Sequence, residues 1–370
     1  MKRIAMIFPY APSYRGSIYQ LMDKEFDIDW YFCGNVKPEL KLLDYQLLKN
    51  CNLTLSESKV IGPITRYNGV NGIDFDKYDI VIIAGVIRNI SEWTIPVTIK
   101  RYTKTKIYCW THGWYGKETP IQSWIKRKFF NLFDGMLVYG DYAKNLLINQ
   151  GYPAHKIHVI KNSLDYENQL IIRNQLSVSD IYSSHFNNDY PTLIFLGRLT
   201  PVKRLDMILK AIYNLNQMGE YFNFVLVGDG SEKEKLIELT KELNLNDRVW
   251  FVGECFDEKL NAIYLYNADL CVAPGNIGLT AIHSLMFGCP ALTHNDFKWQ
   301  MPEFESIKPD KTGAFFKRDD IESLASEISR WFSVHRDDRR EIRKNCFEEI
   351  DNCWNTTYQL FVLKDIIYNA

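Results

Sequence analysis

Two cations stand five residues apart in the run Gly197-Arg198-Leu199-Thr200-Pro201-Val202-Lys203, where an apolar stretch ends, the chain turns at Gly197 and a helical pattern begins near Val202. A guanidinium fork and an ammonium point charge at a strand's carboxyl end suit a diphosphate on which leaving-group charge develops; the plain alternative is a pair of solvated helix-start residues. A second run, Ala273-Pro274-Gly275-Asn276-Ile277-Gly278-Leu279, joins a strand to a helical pattern over Thr280 to Phe287. Free backbone N–H groups and a helix dipole there would make an anion site, although an ordinary strand-to-helix loop looks alike. A third, Trp110-Thr111-His112-Gly113-Trp114-Tyr115-Gly116, sets a histidine among glycines and aromatics after a strand. Two carboxylates, Glu303 and Glu305, follow a later strand and are candidates for acid chemistry or loop-surface charge. His294, also near a strand end, is open between ligand contact and an ordinary loop role. The triplets Asp27-Ile28-Asp29 and Asp74-Phe75-Asp76 have a metal-binding look, but both precede or flank strands, and the Arg198/Lys203 pair leaves no charge for a metal to neutralise. No metal and no other cofactor is expected.

These residues need elements to hold them. Short β-rich apolar runs recur through the first half, at Ile4 to Phe8, Ile28 to Phe32, Ile80 to Ala84, Lys106 to Trp110, Met136 to Tyr139 and Ile157 to Ile160, with helical patterns such as Ser91 to Arg101 and Thr119 to Leu132 between them. The second half repeats the scheme with strands at Leu193 to Leu196, Asn223 to Val227, Val249 to Val252, Leu270 to Ala273 and Ala291 to Thr293, and helices at Val202 to Met218, Glu232 to Leu243, Asp257 to Tyr266 and Leu279 to Phe287. Strands alternating with helices imply parallel sheets covered on both faces, an α/β fold in two halves. Ligands bind at the carboxyl ends of such strands, so two facing sheets would form a cleft. The tail from Asp337 to Tyr368 reads as helical, with Trp354, Tyr358, Phe361 and Val362 spaced to pack inward.

A length of 370 residues fits two domains, and 46% hydrophobic with 24% charged residues is ordinary for a folded chain. The net charge of −1 hides an asymmetry: through Asp165 there are 22 Lys/Arg against 15 Asp/Glu, and after it 22 against 30. The basic half carries clusters at Lys100, Arg101, Lys104 and Lys106 and at Lys126, Arg127 and Lys128, the latter beside Trp124, Phe129 and Phe130. Either a solvated helix face or peripheral contact with anionic lipid explains them; nucleic acid is not expected, because no binding motif accompanies the charge. The eight scattered cysteines read as reduced thiols. The opening MKRIAMIFPY has only a short apolar run before Pro9 and reads as a strand, and no run of 18 apolar residues follows. A cytoplasmic location, associated at most with the inner face of the membrane, is expected.

The chain resembles the retaining, nucleotide-sugar-dependent glycosyltransferases of the GT-B fold ("glycosyl transferases group 1"), known from bacterial polysaccharide assembly. The resemblance rests on Gly197-Arg198-Leu199 with Lys203, Val227-Gly228-Asp229-Gly230, Val249-Trp250-Phe251-Val252-Gly253, and Gly278-Leu279 followed by Gly288-Cys289-Pro290. It implies two Rossmann-like β/α/β domains facing across a cleft: residues 1–165 on the acceptor side, 166–350 on the donor side, and a helix over 351–370 crossing back to the first domain. It implies that Arg198 and Lys203 hold the donor diphosphate, that Asn276, Ile277, Gly278 and Leu279 give it backbone contacts, and that Gly253, Glu254 and Cys255 border the base. It makes His112 a contact to the donor sugar, and Gly16, in the loop around Arg15, part of an acceptor or phosphate contact. Lys161-Asn162-Ser163-Leu164-Asp165 looks like the family's interdomain connection, with Ser163 in place of its usual glycine.

The family's pair of glutamates, separated by seven residues, is absent. By the same alignment Gly275 stands where the first, near the donor sugar, would be, and His283 where the second, which holds the ribose, would be. A subfamily that positions its donor differently, a silent subunit and a displaced alignment all account for this, and Glu303 is a candidate to supply the carboxylate. The function expected is metal-independent, retaining transfer of a sugar from a nucleoside diphosphate to a glycan or lipid-linked hydroxyl. A non-catalytic GT-B subunit that binds a nucleotide sugar or a partner transferase is the alternative, and a GT-B-type epimerase a third.

Overall fold

The computed structural model describes residues 2–34, 41–53, 55–335 and 338–369. The chain divides into two compact units, Met1–Asp165 together with Asn355–Ala370, and Tyr166–Trp354.

In the first unit the strands are β1 (Arg3–Phe8), β2 (Asp27–Phe32), β3 (Asn50–Asn52), β4 (Ser56–Ile61), β5 (Ile64–Asn68), β6 (Ile80–Ile83), β7 (Lys106–Thr111), β8 (Gly135–Val138) and β9 (Ile157–Val159). Seven of them form a parallel sheet in the order β3-β2-β1-β6-β7-β8-β9, while β4 and β5 pair as an antiparallel hairpin. Helices α1 (Gly16–Glu25), α2 (Ser91–Tyr102), α3 (Pro120–Phe130) and α4 (Asp141–Asn149) lie between strands. Why β1 is apolar at nearly every position follows from its two faces. Ala5 and Ile7 join one buried cluster, and Ile4, Met6 and Phe8 join another on the opposite side. A strand whose alternate side chains are covered on both faces has no polar side to show.

The second unit holds β10 (Thr192–Leu196), β11 (Asn223–Val227), β12 (Val249–Gly253), β13 (Leu270–Ala273), β14 (Ala291–His294) and β15 (Gly313–Phe316), parallel in the order β12-β11-β10-β13-β14-β15. Around it run α5 (Tyr166–Arg173), α6 (Ile181–Phe186), α7 (Asp206–Gln217), α8 (Lys233–Glu242), α9 (Glu258–Asn267), α10 (Thr280–Met286), α11 (Ile321–His335) and α12 (Arg339–Cys353).

The tail is two helices, not one. After α12 the chain breaks at Trp354, and α13 (Thr356–Asn369) starts afresh, with Asn355 Oδ1 accepting from the Tyr358 N–H at 2.8 Å. The break resets the helical phase, so Phe361, expected to pack inward, is 68% exposed, and Leu363, Ile366 and Ile367 are buried in the first unit instead. Gln359 fastens α13 there: its Nε2 donates to the Lys161 carbonyl at 3.0 Å, and its Oε1 accepts from Ser163 Oγ at 2.5 Å. A glycine at 163 could not make that bond. Asp337, where the helical tail was expected to begin, lies outside the described residues.

Each sheet has a switch point, where neighbouring strands send their connections in opposite directions: β1 beside β6, and β10 beside β13. Crevices at the carboxyl ends of such strand pairs are where open α/β sheets take ligands.

Candidate functional site

At the switch point of the second unit the loops after β10 and β13 are laced together. The Gly275 N–H donates to the Lys203 carbonyl at 3.0 Å, Lys203 Nζ donates to the Asn276 carbonyl at 2.5 Å, and Thr280 Oγ1 donates to the Leu196 carbonyl at 3.1 Å. The approach is so close that a Cβ on Gly275 would lie 1.9 Å from the Val202 carbonyl oxygen and 2.9 Å from Lys203 backbone atoms. No residue with a side chain fits at 275, which gives a spatial reason why no glutamate stands there.

One expectation about the second loop needs correction. Its backbone N–H groups are not all free for an anion, because the Gly275 N–H is committed to Lys203 and the Ile277 N–H donates to Gln300 Oε1 at 3.0 Å. The helix behind it runs Thr280–Met286 with Phe287 as its C-cap, two turns long. Gln300, 3% exposed, was not singled out by sequence reasoning; its amide donates to Thr293 Oγ1 at 2.8 Å and to the Gly275 carbonyl at 3.3 Å, bracing the loop from beneath. A buried glutamine after a strand leaves no periodic signal.

Arg198 is exposed at the strand end, whereas Lys203 is half-buried. Burial, and next the Arg198 charge, push the Lys203 ammonium down to about 8, opposed by Glu303. Glu303 is only 2% exposed, within the short helical turn Pro302–Ser306, and so is not loop-surface charge. The site thus sets two cations against one buried carboxylate.

His283 has a partner the sequence did not suggest. Its Nε2 lies 2.9 Å from Oε1 of Glu258, the first residue of α9, and Gln169 Nε2 donates to the same oxygen at 2.7 Å. Burial raises the Glu258 carboxyl, but hydrogen bonds from His283, Gln169 and Asn261 outweigh it and leave the group below its ordinary value, ionised at neutral pH. A carboxylate therefore does stand beside position 283, supplied from 25 residues earlier in the chain. Next to it, Gly253 closes β12 with φ of 88°, Glu254 is exposed, and the Cys255 carbonyl accepts from Asn261 Nδ2 at 3.2 Å. His294 is the last residue of β14, 2% exposed and pushed down to about 4 by burial and next by Arg318; its Nδ1 accepts from the Asp296 N–H at 3.2 Å, a structural role.

In the first unit a cavity of about 510 Å³ opens over the β1/β6 switch point, lined by the loops after β1, β6 and β7. His112 lines it, its ring centroid 4.8 Å from that of Tyr139 with the planes tilted by 42°. Burial, with the charges of Arg15 and Lys126 adding, pushes His112 down to about 4, so it is a neutral imidazole at pH 7. Arg15 donates to Tyr19 Oη at 3.4 Å and to Tyr139 Oη, and its guanidinium lies 5.5 Å from the Trp110 ring centroid. Gly16 starts α1 behind it and faces Leu43, not the cavity. Lys126 ties α3 to the loop, donating to the Gly113 carbonyl at 2.9 Å and to Glu118 Oε1 at 2.6 Å. From below, the wholly buried Glu92 accepts from the Gly85 and Val86 N–H groups at 2.8 and 3.1 Å.

The Asp-x-Asp triplets have structural work. Asp29 bonds Tyr78 Oη at 2.5 Å and pairs with Arg3 and Lys77, and Asp74 caps a helical turn by accepting from the Asp76 N–H. A cavity of about 820 Å³ in the second unit lies at the amino ends of its strands, lined by Pro191, Phe222, Asp269 and Pro290, the wrong end of a parallel sheet for chemistry. Among the described residues, no helix is long and apolar enough to cross a membrane.

Residues 180–348 match the family model of the glycosyl transferases group 1. The O-antigen biosynthesis glycosyltransferase WclY of Escherichia coli is 26% identical over 276 residues, 73% of this chain and 69% of that protein. The lipopolysaccharide 1,6-galactosyltransferase of Escherichia coli strain K12 is 22% identical over 237 residues, 59% of this chain and 60% of that protein. Among solved structures, Anabaena HepE in complex with UDP superposes with a TM-score of 0.72 at 14% identity, covering 100% of both chains. The lipopolysaccharide outer core galactosyltransferase WaaB, in its apo form, does so at 0.70 with 15% identity, again over 100% of both. These structural likenesses show the fold, that of GT-B glycosyltransferases. The matched segment and the relatives are thus similar to group 1 glycosyltransferases, and the solved structures share the GT-B fold.

Proposed function

We propose that this chain, with its support among the group 1 glycosyltransferases, transfers a sugar from a nucleoside-diphosphate sugar to a glycan or lipid-linked hydroxyl in the assembly of a bacterial surface polysaccharide. The names of its relatives, an O-antigen transferase and a lipopolysaccharide galactosyltransferase, favour that setting, and HepE with bound UDP favours a uridine donor. The observation that carries the reading is the laced pair of loops at the second switch point, with Arg198 and Lys203 set where a diphosphate would leave.

In this reading the second unit holds the donor and the first the acceptor. Arg198 and Lys203 take up the charge that grows on the diphosphate as the glycosidic bond breaks, with the Asn276 to Leu279 backbone beside it. Glu303, buried within electrostatic reach of Lys203, keeps that ammonium protonated near neutral pH against its burial. Retention follows if the acceptor hydroxyl attacks from the face the diphosphate leaves, handing its proton to the departing phosphate, so no side-chain base and no metal is required. His112, neutral, offers a hydrogen bond to a sugar hydroxyl without adding charge. Gly253 to Cys255 border the base, and the His283–Glu258 pair offers a carboxylate-backed imidazole to the donor.

The protein's place is the cytoplasm, in peripheral contact with anionic lipid through α3. Ile121 and Trp124, one turn apart, are 72% and 60% exposed beside the exposed Lys117, Arg127 and Lys128, a pattern suited to an interfacial helix.

Release of nucleoside diphosphate from UDP-, GDP- and dTDP-sugars, measured for the wild type, Arg198→Ala and His112→Ala, tests the reading. One donor is turned over and both substitutions abolish turnover in folded protein. Donor binding without turnover against any acceptor would instead favour a non-catalytic subunit, and a product that is the donor's own epimer would favour an epimerase.

A further inference from the structure

We propose that the cavity of about 820 Å³ at the amino ends of the second sheet binds a neutral, hydroxyl-rich ligand, a segment of a glycan chain. No reaction belongs at that end of a parallel sheet, but holding a chain needs none. An aromatic pair lines it. Tyr190 and Tyr221 have ring centroids 5.3 Å apart with planes tilted by 45°, and they stay 38% and 39% exposed. Arg248 braces the pair, its guanidinium 4.5 Å from one ring centroid and 4.6 Å from the other. Phe222 and Phe332, also in the lining, pack with their centroids 5.1 Å apart. Rings held in place and partly exposed suit the C–H faces of sugars, which the negative face of an aromatic ring attracts.

Charge decides against an anion. Among the described lining residues the one arginine, Arg339, is spent: it pairs with Asp269 at 2.8 Å and donates to the Tyr266 and Ala268 carbonyls. Asp189 and Glu220 add carboxylates, and Glu220 Oε1 accepts from Ser329 Oγ at 2.8 Å. A phosphate or nucleoside diphosphate finds no unspent guanidinium or ammonium in this lining, whereas a sugar hydroxyl finds carboxylate and serine oxygens to donate to.

A second, independent observation points to a ligand that can both donate and accept. His335 lines the cavity with its side chain 9% exposed, and its Nδ1 is buried with no hydrogen-bond partner. The Asp338 carboxylate stands 3.6 Å away, too far for a hydrogen bond, and the Trp331 ring holds the imidazole at a centroid distance of 4.3 Å. Buried polar atoms seldom go unsatisfied. A hydroxyl completes Nδ1 whichever tautomer the imidazole adopts, since it can give or take the hydrogen bond. A cavity of about 820 Å³ is within the range of small-molecule sites. The role assigned to it rests on the transferase reading above: a glycan gripped here, at the end of the sheet opposite Arg198 and Lys203, is kept on the enzyme between additions of sugar.

The test is calorimetric titration of maltohexaose, galactotetraose, mannotetraose, glucose and UDP into the full chain, as wild type, Tyr190→Ala, Tyr221→Ala, Tyr221→Phe and Arg198→Ala, each checked by thermal unfolding. At least one of the three oligosaccharides binds, and more tightly than glucose. Tyr190→Ala and Tyr221→Ala each weaken that binding about tenfold, the loss of one stacked ring, while Tyr221→Phe keeps the ring and stays within about threefold of wild type. Saturating UDP and Arg198→Ala leave the binding in place, because both act at the other end of the sheet. If Tyr221→Ala does not fold, Ser333→Arg, at an exposed position of the lining, narrows the cavity instead and abolishes binding. The proposal fails if none of the three oligosaccharides binds, if binding survives these changes in folded protein, or if UDP or Arg198→Ala removes it, which would put the sugar in the donor's place. No turnover is measured, so a chain that proves not to transfer sugar leaves these titrations intact, and failure here leaves donor turnover untouched.

Discussion

Gly275→Ala is the smallest change that tests how the second switch point is built. The added Cβ would sit 1.9 Å from the Val202 carbonyl oxygen, whereas such contacts are not found below 3.0 Å, so the turn Pro201–Lys203 must withdraw by about 1 Å. Nothing flexible can absorb this, because the nearest atoms are backbone. The withdrawal pulls on two bonds at once, Gly275 N–H to the Lys203 carbonyl and Lys203 Nζ to the Asn276 carbonyl. Overpacking of this kind costs roughly 1–3 kcal/mol, about 3–10 °C in Tm for a unit of this size. Displacing a charge-bearing group by about 1 Å costs on the order of a hundredfold in rate. Thermal unfolding followed by nucleoside diphosphate release from the best donor reads both quantities. Gly275→Glu, which restores the residue the family resemblance would place there, should do worse than alanine in both assays. A Gly275→Ala protein with wild-type Tm and turnover would refute the claim that this glycine is required by space.

Further outcomes follow from other parts of the molecule. Glu258→Ala strips His283 and Gln169 of their shared acceptor; the expected result is a donor KM raised about tenfold with kcat changed less, and Glu258→Gln restoring part of the loss, as steady-state kinetics would read. Because the Glu258 carboxyl is depressed in the folded state, its contribution is present above the ordinary carboxylate range and lost as pH falls through the folded value, so Glu258→Ala and wild type should converge in Tm toward acid. Glu92 works in the opposite sense. Burial pushes it up to about 7, the folded state holds its proton while the unfolded chain has lost it, and stability falls by about 3 kcal/mol as pH rises from 4.5 to 7. Wild type measured against Glu92→Gln should lose relative Tm across that interval and level off above it. For α3, cosedimentation with vesicles rich in phosphatidylglycerol should be lost on Ile121→Ser/Trp124→Ser and weakened by salt, with donor hydrolysis in solution unchanged; binding that ignores both changes would place the membrane contact elsewhere.

Much of this architecture was open to reading from the chain. The apolar runs marked eleven of the thirteen described strands that join the two parallel sheets, each to within one residue of its observed ends, because a strand buried on both faces is apolar at nearly every position, as Ile80–Ile83 and Leu270–Ala273 show. Of the unmarked strands, β3, Asn50–Asn52, is a short polar edge strand where that reason lapses, whereas β15, Gly313–Phe316, is an apolar, mostly buried edge strand that was not marked. The strand-end candidates Arg198, Lys203 and His112 were legible for the same reason as the strands, since the residue after an apolar run must lie at the strand's carboxyl end.

What the sequence determined by itself is therefore local: which segments are strands and helices, that the sheets are parallel, and which residues stand at strand ends. Only the tertiary structure decided which of those ends meet. That Glu258 reaches His283, that Glu303 is buried near Lys203, that Gly275 is excluded from bearing a side chain by Val202, and that Trp110 is left with an unfilled N–H all depend on the order of strands in each sheet. That order is a property of how whole elements pack, settled by buried area and hydrogen bonding across the sheet, and no single segment carries it in its own periodicity.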